Sequence, residues 1–179
     1  MKNRKIAMVT GGAGFVGSHM VDLLLSKNYK VIVVDNLTGG HKKNLRHHED
    51  NPRLKFKKVD ICKLSPNNKL FKNVDYVFHF AGIGDIVPSI ENPKNYIMTN
   101  VIGTVNVLEA SRFAKVKKFI YAASASCYGL TKNQVDEKYK ISIQHPYALS
   151  KYLGEKAAFH WHKFYGLPVN SIRIFNAYG

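Results

Sequence analysis

The sequence predicts an α/β fold in which helices cover both faces of a doubly wound parallel sheet. Three observations predict it. Short apolar runs alternate with longer segments of helical periodicity along the 179-residue chain, as in repeated strand–helix–strand units. The run at 31–35 is almost entirely β-branched, which is typical of a strand covered on both faces. A glycine-rich segment at 10–17 separates the first apolar run from the first helical pattern.

The same patterns predict the elements in order. Strands are predicted at 5–10, 31–35, 54–59, 75–80, 119–123 and 169–175, and helices at 15–27, 96–114 and 147–165. Lysine alternates with apolar residues in the third strand, so we expect that strand at a less covered position of the sheet. In the first helix, the spacing of Met20, Leu23 and Leu24 predicts a buried face.

The composition is that of a globular chain with a large excess of positive charge. Lys and Arg number 27 against 12 Asp and Glu, a formal net charge of +15. That excess suits an anionic partner, whether nucleic acid, a membrane surface or a small phosphate-bearing ligand. Cys62 and Cys127 lack the spacing of a disulfide framework, and no apolar stretch approaches the length of a membrane span. We therefore expect one domain of a cytoplasmic protein, with no membrane partner.

The basic stretch at 41–58 and the histidines raise two further possibilities. The stretch contains no nucleic-acid-binding motif, and Phe56 is its only aromatic residue for base stacking. A solvated surface is the favoured interpretation, so no nucleic-acid partner is expected. His47 and His48 are adjacent, with no carboxylate or thiolate at the spacing of a metal motif, and His160 and His162 point to different helix faces. No metal is expected.

The glycine-rich segment has the features of a phosphate cradle. Its glycines fit two patterns, one at 12, 14 and 17 and another at 11, 14 and 17. Missing side chains let the backbone approach a pyrophosphate, and the helix that follows presents free N–H groups. Asp35 ends the second predicted strand, where a carboxylate binds a ribose diol and repels a 2′-phosphate. The Asp35 carboxylate favours NAD over NADP, although the basic residues His41, Lys42 and Lys43 act against that preference. The alternative interpretation of the glycine-rich segment is a purely structural turn.

Candidate catalytic residues follow later in the chain. Tyr147 and Lys151 are four apart at the start of a predicted helix, so they share a face. A free tyrosine titrates near pH ~10, and a neighbouring ammonium, together with an oxidised nicotinamide, would lower its pKa toward that of a useful base. Ser124 follows the strand at 119–123 and could hold a reacting hydroxyl or relay its proton; Ser126 competes for that role. The alternative for the Tyr–Lys pair is a solvated helix face.

Seven ordered segments carry a family resemblance. They are TGGAGFVGSH at 10–19, VDNL at 34–37, VDI at 59–61, HFAG at 79–82, SASCYG at 124–129, PYALSK at 146–151 and RIFNAYG at 173–179. Together they resemble the extended short-chain dehydrogenase/reductase family, in particular its nucleotide-sugar epimerases of the UDP-glucose 4-epimerase type. The resemblance covers the whole chain.

The resemblance implies a Rossmann-type fold with NAD as cofactor. Ser124, Tyr147 and Lys151 would form the catalytic triad. Ser124, Ser126 and Asn176 would meet a nucleoside-diphosphate sugar, Asn176 on its diphosphate side. The residues implied to hold the cofactor, with Asp60 and Ile61 beside the adenine, are Gly11, Gly14, Phe15, Val16, Gly17, Asp35, Asn36, Asp60, Ile61, Phe80, Ala81, Gly82, Asn100, Tyr147 and Lys151.

Two departures from the family pattern bear on the reaction. Members that dehydrate sugars carry an Asp-Glu pair directly after the catalytic hydroxyl residue, where this chain has Ala125 and Ser126. The sequence therefore indicates redox epimerisation through a keto-sugar rather than dehydration. Gly84 and Asp85 stand where some galactose-type epimerases place a lysine, which leaves the sugar open. The alternatives are a reductase or decarboxylase of the same family, a non-catalytic dinucleotide-binding module and, on charge alone, a nucleic-acid binder.

The resemblance also concerns domain organisation. We expect residues 1–179 to form an NAD-binding domain, whereas family members continue into a smaller domain that covers the sugar nucleotide. That second domain is expected to be absent from this chain. NAD binding with little or no turnover is the resulting expectation. Apolar surface left uncovered would promote association, so a homodimer is also expected.

Overall fold

The strands form one parallel sheet. A computed structural model describes residues 4–178, so the ends of the predicted domain, including Gly179 of the last motif, lie outside the described residues. The strands lie in the order β3-β2-β1-β4-β5-β6. Their bounds are β1 Ile6–Thr10, β2 Lys30–Asp35, β3 Leu54–Lys58, β4 Tyr76–His79, β5 Lys118–Ser124 and β6 Val169–Ile174. All neighbouring strands are parallel.

Helices connect the strands and cover the sheet. They are α1 Phe15–Ser26, α2 Val87–Glu91, α3 Pro93–Ile97, α4 Thr104–Phe113 and α5 Pro146–Tyr165. A π-helical turn, Met98–Gly103, joins α3 to α4, so the predicted helix at 96–114 is one continuous helical segment over 93–113. The described residues 4–178 contain no helix that combines the length and hydropathy of a membrane span.

The core has one layer on each face of the sheet. Met8 and Val77 face a layer built with α4 and α5, whereas Ala7 and Val9 face a layer built with α1. This alternation follows from the period of two along a strand. Because both faces are covered, the central strands are nearly continuous apolar runs, which confirms the predicted α/β class.

Two details of the elements test the sequence patterns. The lysine-bearing third strand lies at the edge of the sheet, where less covered residues were expected. The predicted face of α1 is wrong at Leu23, which is 51% exposed. The buried residues of α1 are Gly17, Ser18, Val21, Leu24 and Leu25. These positions recur at the spacing of one helix face, and Leu23 lies outside that face.

A 3₁₀ helix at Lys42–His48 fills part of the basic stretch. It is attached to the glycine-rich loop because the His41 backbone N–H and the Asn44 side-chain amide both donate to the Ala13 carbonyl oxygen, each at 2.9 Å. The segment after β2 therefore supports the loop that follows β1.

Candidate active site

The predicted site residues gather at one edge of the sheet. Strand order reverses between β1 and β4, which are neighbours although they are not consecutive strands. Loops that follow these two strands leave in opposite directions and open a crevice at the carboxyl ends of the strands, where doubly wound folds bind their ligands. The glycine-rich loop follows β1, the Phe80–Gly82 segment follows β4, and Ser124 ends β5.

The glycine-rich loop has room for backbone only. Gly11 has φ +69°, and a Cβ there would lie 2.6 Å from the Ala81 backbone nitrogen. A Cβ on Gly17 would overlap the Gly11 carbonyl oxygen. These positions pack the first turn of α1 against the loop, with Gly14 as its N-cap and Phe15 as its first residue. The N-terminus of a twelve-residue helix thus faces the crevice, which fits a pyrophosphate.

Asp35 stands beside this cradle. It ends β2 and is buried, and its carboxylate accepts hydrogen bonds from the Ala13 backbone N–H at 3.0 Å and from the Leu37 N–H at 2.8 Å. A Cβ on Gly40 would lie 2.8 Å from the same carboxylate. The carboxylate is therefore held in one orientation next to the glycine-rich loop, as binding of a ribose diol requires.

Asn36, predicted to hold the cofactor, and Asp60 and Ile61, predicted beside the adenine, have local partners. Asn36 accepts from the Thr38 backbone N–H at 3.0 Å, and Asp60 accepts from the Cys62 N–H at 2.9 Å, as the cap of a short 3₁₀ helix. Ile61 is buried in the core layer that contains α4. Asn36 and Asp60 thus lie in turns that follow β2 and β3, and Ile61 lies in the core. Their contact with a cofactor stays a prediction.

The segment after β4 is clasped by Asn100 in the π-helical turn. The Asn100 side-chain oxygen accepts from the Ile83 backbone N–H at 2.7 Å, and its amide donates to the Ile83 carbonyl at 3.0 Å and the Ser150 hydroxyl at 2.9 Å. Asn100 therefore joins the loop after β4 to α5. The side chain makes three hydrogen bonds to Ile83 and Ser150, and its predicted contact with the cofactor stays a prediction.

A buried histidine connects the two strands that flank the crevice. One ring nitrogen of His79 lies 2.6 Å from the Thr10 hydroxyl, and the other lies 2.9 Å from the Thr104 hydroxyl. Burial lowers the pKa of His79 to about 3, with a smaller contribution from the Lys151 charge. The imidazole is therefore neutral and serves as a structural link between β1, β4 and α4.

Tyr147 and Lys151 lie on the first turns of α5. The helix begins at Pro146, and its cap His145 accepts a hydrogen bond from the Ala148 backbone N–H at 3.2 Å. Tyr147 is half-buried, with its ring 6.3 Å from that of Tyr96 in an edge-on arrangement. Lys151 is buried one turn later. The structure brings the predicted pair to the crevice, on one face of one helix.

The Lys151 side chain is buried. Its Nζ atom lies 4.8 Å from the centre of the Tyr121 ring, and a Cβ on Gly82 would lie 3.7 Å from that nitrogen. Burial lowers the pKa of Lys151 to about 8, and the Glu155 carboxylate acts in the opposite direction. The ammonium therefore remains mostly charged at neutral pH and faces the loop after β4.

Three tyrosines of this region, Tyr121, Tyr96 and Tyr147, differ in burial. Tyr121 is fully buried, and burial raises its pKa well above the ordinary value. Burial also raises the pKa of Tyr96, whose hydroxyl donates to the Gly84 carbonyl. Tyr147 alone among these three is half-buried rather than buried, so its hydroxyl is the one that a ligand in the crevice can reach.

The structure places the hydroxyl candidates close together. Ser124 is the last residue of β5 rather than the first residue beyond it, and its side-chain oxygen accepts from the Ser126 backbone N–H at 3.1 Å. Ser126 belongs to the 3₁₀ turn Ala125–Tyr128, which contacts α5. Asn176 is exposed in the segment after β6. Phe175 stacks on Tyr128 at 6.3 Å, so this segment turns toward the same edge of the sheet.

The sequence interpretation missed a buried ion pair beneath the site. Arg173 donates to the Glu155 carboxylate at 2.9 Å and to the Tyr128 hydroxyl at 2.8 Å. The Ser171 hydroxyl donates to the same carboxylate at 2.6 Å. The four-residue spacing of Lys151 and Glu155 was an available signal, but the partner on β6 was not visible in the sequence.

It also missed a cluster formed by α1 and the 3₁₀ helix. Asp22 of α1 lies within hydrogen-bond distance of both His47 and His48, each with Nε2 at 2.8 Å from the same carboxylate oxygen. No sequence motif connects a carboxylate to histidines 25 and 26 positions away.

Comparisons with known proteins agree with this arrangement. A protein of Methanocaldococcus jannaschii provisionally named a UDP-glucose 4-epimerase is 40% identical over 175 residues, which cover 96% of this chain and 56% of the relative. UDP-glucuronic acid decarboxylase 4 of Arabidopsis thaliana is 34% identical over 178 residues, covering 96% of this chain and 39% of the relative.

A solved structure shares the fold. UDP-glucuronic acid 4-epimerase from Bacillus cereus, in complex with UDP-glucuronic acid and NAD, has a TM-score of 0.92 and 31% identity, covering 97% of this chain and 57% of that one. The chain spans between 39% and 57% of the length of these three proteins.

The family model that matches is described as the NAD-dependent epimerase/dehydratase family, and the match covers residues 7–179. The described part of that range holds the Rossmann-type sheet, the glycine cradle and the Tyr147–Lys151 pair. NAD as the expected cofactor is confirmed at the level of the family. On sequence and structure together, the chain belongs to the NAD-dependent epimerase/dehydratase family.

Proposed function

We propose that this chain supplies the NAD-binding and proton-transfer groups of an enzyme that inverts a hydroxyl-bearing carbon of a nucleoside-diphosphate sugar, as a UDP-glucose 4-epimerase does. One observation carries the proposal: the segment after β4 lies against both the glycine-rich loop and Lys151 of α5. A Cβ on Gly11 would lie 2.6 Å from the Ala81 backbone nitrogen, and a Cβ on Gly82 would lie 3.7 Å from the Lys151 Nζ atom. Such an enzyme oxidises the sugar to a keto-sugar and reduces it again from the other face, so it needs no external reductant.

The residues of this chain have distinct parts in holding the cofactor. The backbone of the glycine-rich loop and the N-terminus of α1 suit the pyrophosphate, and Asp35 suits the adenosine ribose. When bound, NAD accepts a hydride from the sugar carbon and returns it.

Tyr147 is the proposed proton-transfer residue. Its hydroxyl takes the proton of the sugar hydroxyl as that carbon is oxidised, and returns it when the keto-sugar is reduced. The Lys151 ammonium, about one helical turn away, stabilises the tyrosinate by charge. Because Lys151 is buried, this charge acts in a low-dielectric setting, where it is worth more than in water.

Ser124 is proposed to hold the reacting hydroxyl. Its oxygen already accepts the Ser126 N–H, so its own proton is available for donation to a ligand or to Tyr147. Ser126 and Asn176 are proposed as further substrate contacts, the latter toward the diphosphate.

The residues after Ser124 favour epimerisation over dehydration. Loss of water from a keto-sugar needs an acid and a base near the carbons involved. Ala125 and Ser126 supply neither near neutral pH. A decarboxylase or reductase with the same Tyr–Lys pair is the second candidate; a plant relative named as a decarboxylase motivates the former. A module that binds a dinucleotide without turnover is the third.

The proposal extends to the setting of the enzyme. Cys62 and Cys127 are free, which suits a reducing, cytoplasmic location. A homodimer is proposed because two exposed apolar stripes lie on helical segments that contact one another. Met98 and Ile102 form one stripe, and Leu149 and Leu153 form the other; each of the four side chains is about 40% exposed.

Product analysis tests the proposed reaction. The purified chain, with NAD added, would be incubated separately with UDP-glucose, UDP-galactose and UDP-glucuronate. An epimerase yields an isomer of unchanged mass with no net change in NADH absorbance. A decarboxylase converts UDP-glucuronate to a lighter sugar with release of carbon dioxide, and a reductase consumes NADH in proportion to product. Either of these last two outcomes replaces epimerisation. NAD binding with little or no product is expected of residues 1–179 alone, so the deciding result is a small yield of isomer that Tyr147→Phe abolishes; a yield that Tyr147→Phe leaves unchanged would contradict the proposal.

A further inference from the structure

Three metal-ligating side chains meet on the surface formed by α1 and the 3₁₀ helix. Asp22 lies in the second turn of α1, and His47 and His48 are the last residues of the 3₁₀ helix Lys42–His48. Nε2 of each histidine lies 2.8 Å from Oδ1 of Asp22. All three candidate ligand atoms lie within 4.8 Å of one another.

This arrangement is close to that of a metal centre. Zn–ligand bonds of about 2.0–2.1 Å place two ligands of a tetrahedral ion about 3.3–3.4 Å apart. The observed nitrogen–oxygen separations are about half an ångström shorter than that, so small side-chain rotations would admit an ion. The two imidazoles lie 4.2 Å apart between ring centres, and both already direct Nε2 toward the carboxylate.

The ligand set selects a class of ion. Imidazole nitrogen with one carboxylate oxygen suits Zn²⁺, Cu²⁺ and Ni²⁺, whereas Mg²⁺ and Ca²⁺ prefer oxygen ligands throughout. Each histidine can bind through Nε2 once its ring proton is on Nδ1. The side chain of His48 is 20% exposed and that of Asp22 is 37% exposed, so an ion can enter from solvent while two of its ligands stay partly ordered by packing.

We propose that Asp22, His47 and His48 form a three-ligand site for a divalent transition-metal ion such as Zn²⁺, with water completing the coordination. The site is separate from the candidate active site and takes no part in the proposed reaction. Its location gives it a structural consequence. The 3₁₀ helix that carries both histidines supports the glycine-rich loop, because Asn44 donates to the Ala13 carbonyl. An ion at this site would therefore join that 3₁₀ helix to α1, the helix that follows the loop.

Zinc titration of the untagged, metal-stripped 179-residue chain tests the proposal by calorimetry and thermal unfolding. We expect one equivalent of Zn²⁺ to bind and to raise Tm, because an ion that binds only the folded state stabilises it. Loss of a residue that merely supports a ligand costs about 10–100-fold in metal affinity, so Asp22→Asn and His48→Ala should each weaken binding at least about tenfold.

His160→Ala is the matched control, because His160 is an exposed histidine on α5 that stacks on Phe164. That variant should bind zinc as the unmutated chain does. His47→Ala serves as a second ligand variant if His48→Ala unfolds, since the His47 side chain is 54% exposed and contributes little packing. Unchanged affinity in the ligand variants, an equal loss in His160→Ala, or no saturable binding to the unmutated chain would each overturn the site.

Discussion

Glu155 follows Lys151 by one helical turn on α5, and both side chains are buried on the same face of that helix. The Glu155 carboxylate is bound from the other side by Arg173 at 2.9 Å. The glutamate therefore stands between two cations, one toward the crevice and one from β6. This arrangement makes the charge of Lys151 depend on a residue outside the predicted triad.

Lys151 should make stability depend on pH in a definite direction. Its pKa is lowered from 10.5 to about 8 by burial, so between these values the unfolded chain binds more protons than the folded chain. Stability contributed by Lys151 is therefore lowest below pH 8 and rises as pH increases toward 10.5, at about 1.4 kcal/mol per pKa unit.

Urea unfolding at several pH values measures this effect. Lys151→Met should lose the rise, whereas Lys156→Met, at an exposed position on the same helix, should retain it. A Lys151→Met chain whose unfolding free energy follows the same pH curve as the unmutated chain would contradict a buried, charged lysine.

Glu155→Gln should be strongly destabilising. It leaves the Arg173 guanidinium partly buried without its carboxylate, and breaking a buried ion pair costs about 3–5 kcal/mol. Glu109→Gln is the matched control, because the Glu109–Arg112 pair is more exposed. Equal unfolding free energies for the two variants would show that the Glu155–Arg173 pair contributes no more than a surface pair.

Tyr147→Phe should preserve the fold and NAD binding and remove proton transfer. Proton-transfer groups contribute about 10²–10⁴-fold to rate, so turnover by a catalytically active form should fall by that order. Tyr152→Phe, on the same helix and also half-buried, is the control and should retain activity. Ser124→Ala should cost less than Tyr147→Phe, and a larger loss in Ser126→Ala would transfer the role of Ser124 to Ser126.

Asp35→Ala should weaken NAD binding and relax discrimination against NADP. The carboxylate lies beside the glycine-rich loop, where it would bind a ribose diol and repel a phosphate dianion. Fluorescence titration with both cofactors measures the ratio of their Kd values, with Asp50→Ala as an exposed control. Tighter binding of NADP than NAD by the unmutated chain would refute the assignment.

Ile102→Lys combined with Leu149→Lys should convert the proposed homodimer to a monomer. Both positions are about 40% exposed, one on each apolar stripe, so the folded monomer tolerates the charge while an apolar interface would not. Light scattering after size-exclusion chromatography measures the mass. Leu23→Lys, at an exposed leucine on the opposite face of the sheet, should not change it, and a monomeric unmutated chain would exclude the dimer.

The sequence predicted the sheet well because its strands are buried on both faces. Continuous apolar runs at β1, β2, β4 and β5 have few other interpretations, and their observed ends differ from the predicted ones by about one residue. The buried face of α1 could not be predicted as reliably, because it includes Gly17 and Ser18, whose side chains give no apolar signal in the sequence. Leu23 lies outside that face.

In the candidate site, too, pairs of residues on one element could be predicted and pairs that join different elements could not. Tyr147 and Lys151 share a helix, so their four-residue spacing is enough to place them on one face. Glu155–Arg173 and Asp22–His47 join different elements, and such pairs depend on the crossover connections of the sheet rather than on local spacing. The three hydrogen bonds of Asn100 to Ile83 and Ser150 likewise join a loop to a helix and could not be read from local spacing, and its contact with the cofactor stays a prediction.

The lysines of β3 have a consequence for how copies of this chain behave at high concentration. A strand at the border of a sheet presents unpaired peptide groups that another chain can extend by backbone pairing, the first step toward fibrils. Lys55, Lys57 and Lys58 are exposed along this border, while Leu54 and Phe56 are partly buried against the sheet. Approach of a second strand would bring like charges together, so the basic stretch acts as a gatekeeper against self-templated aggregation.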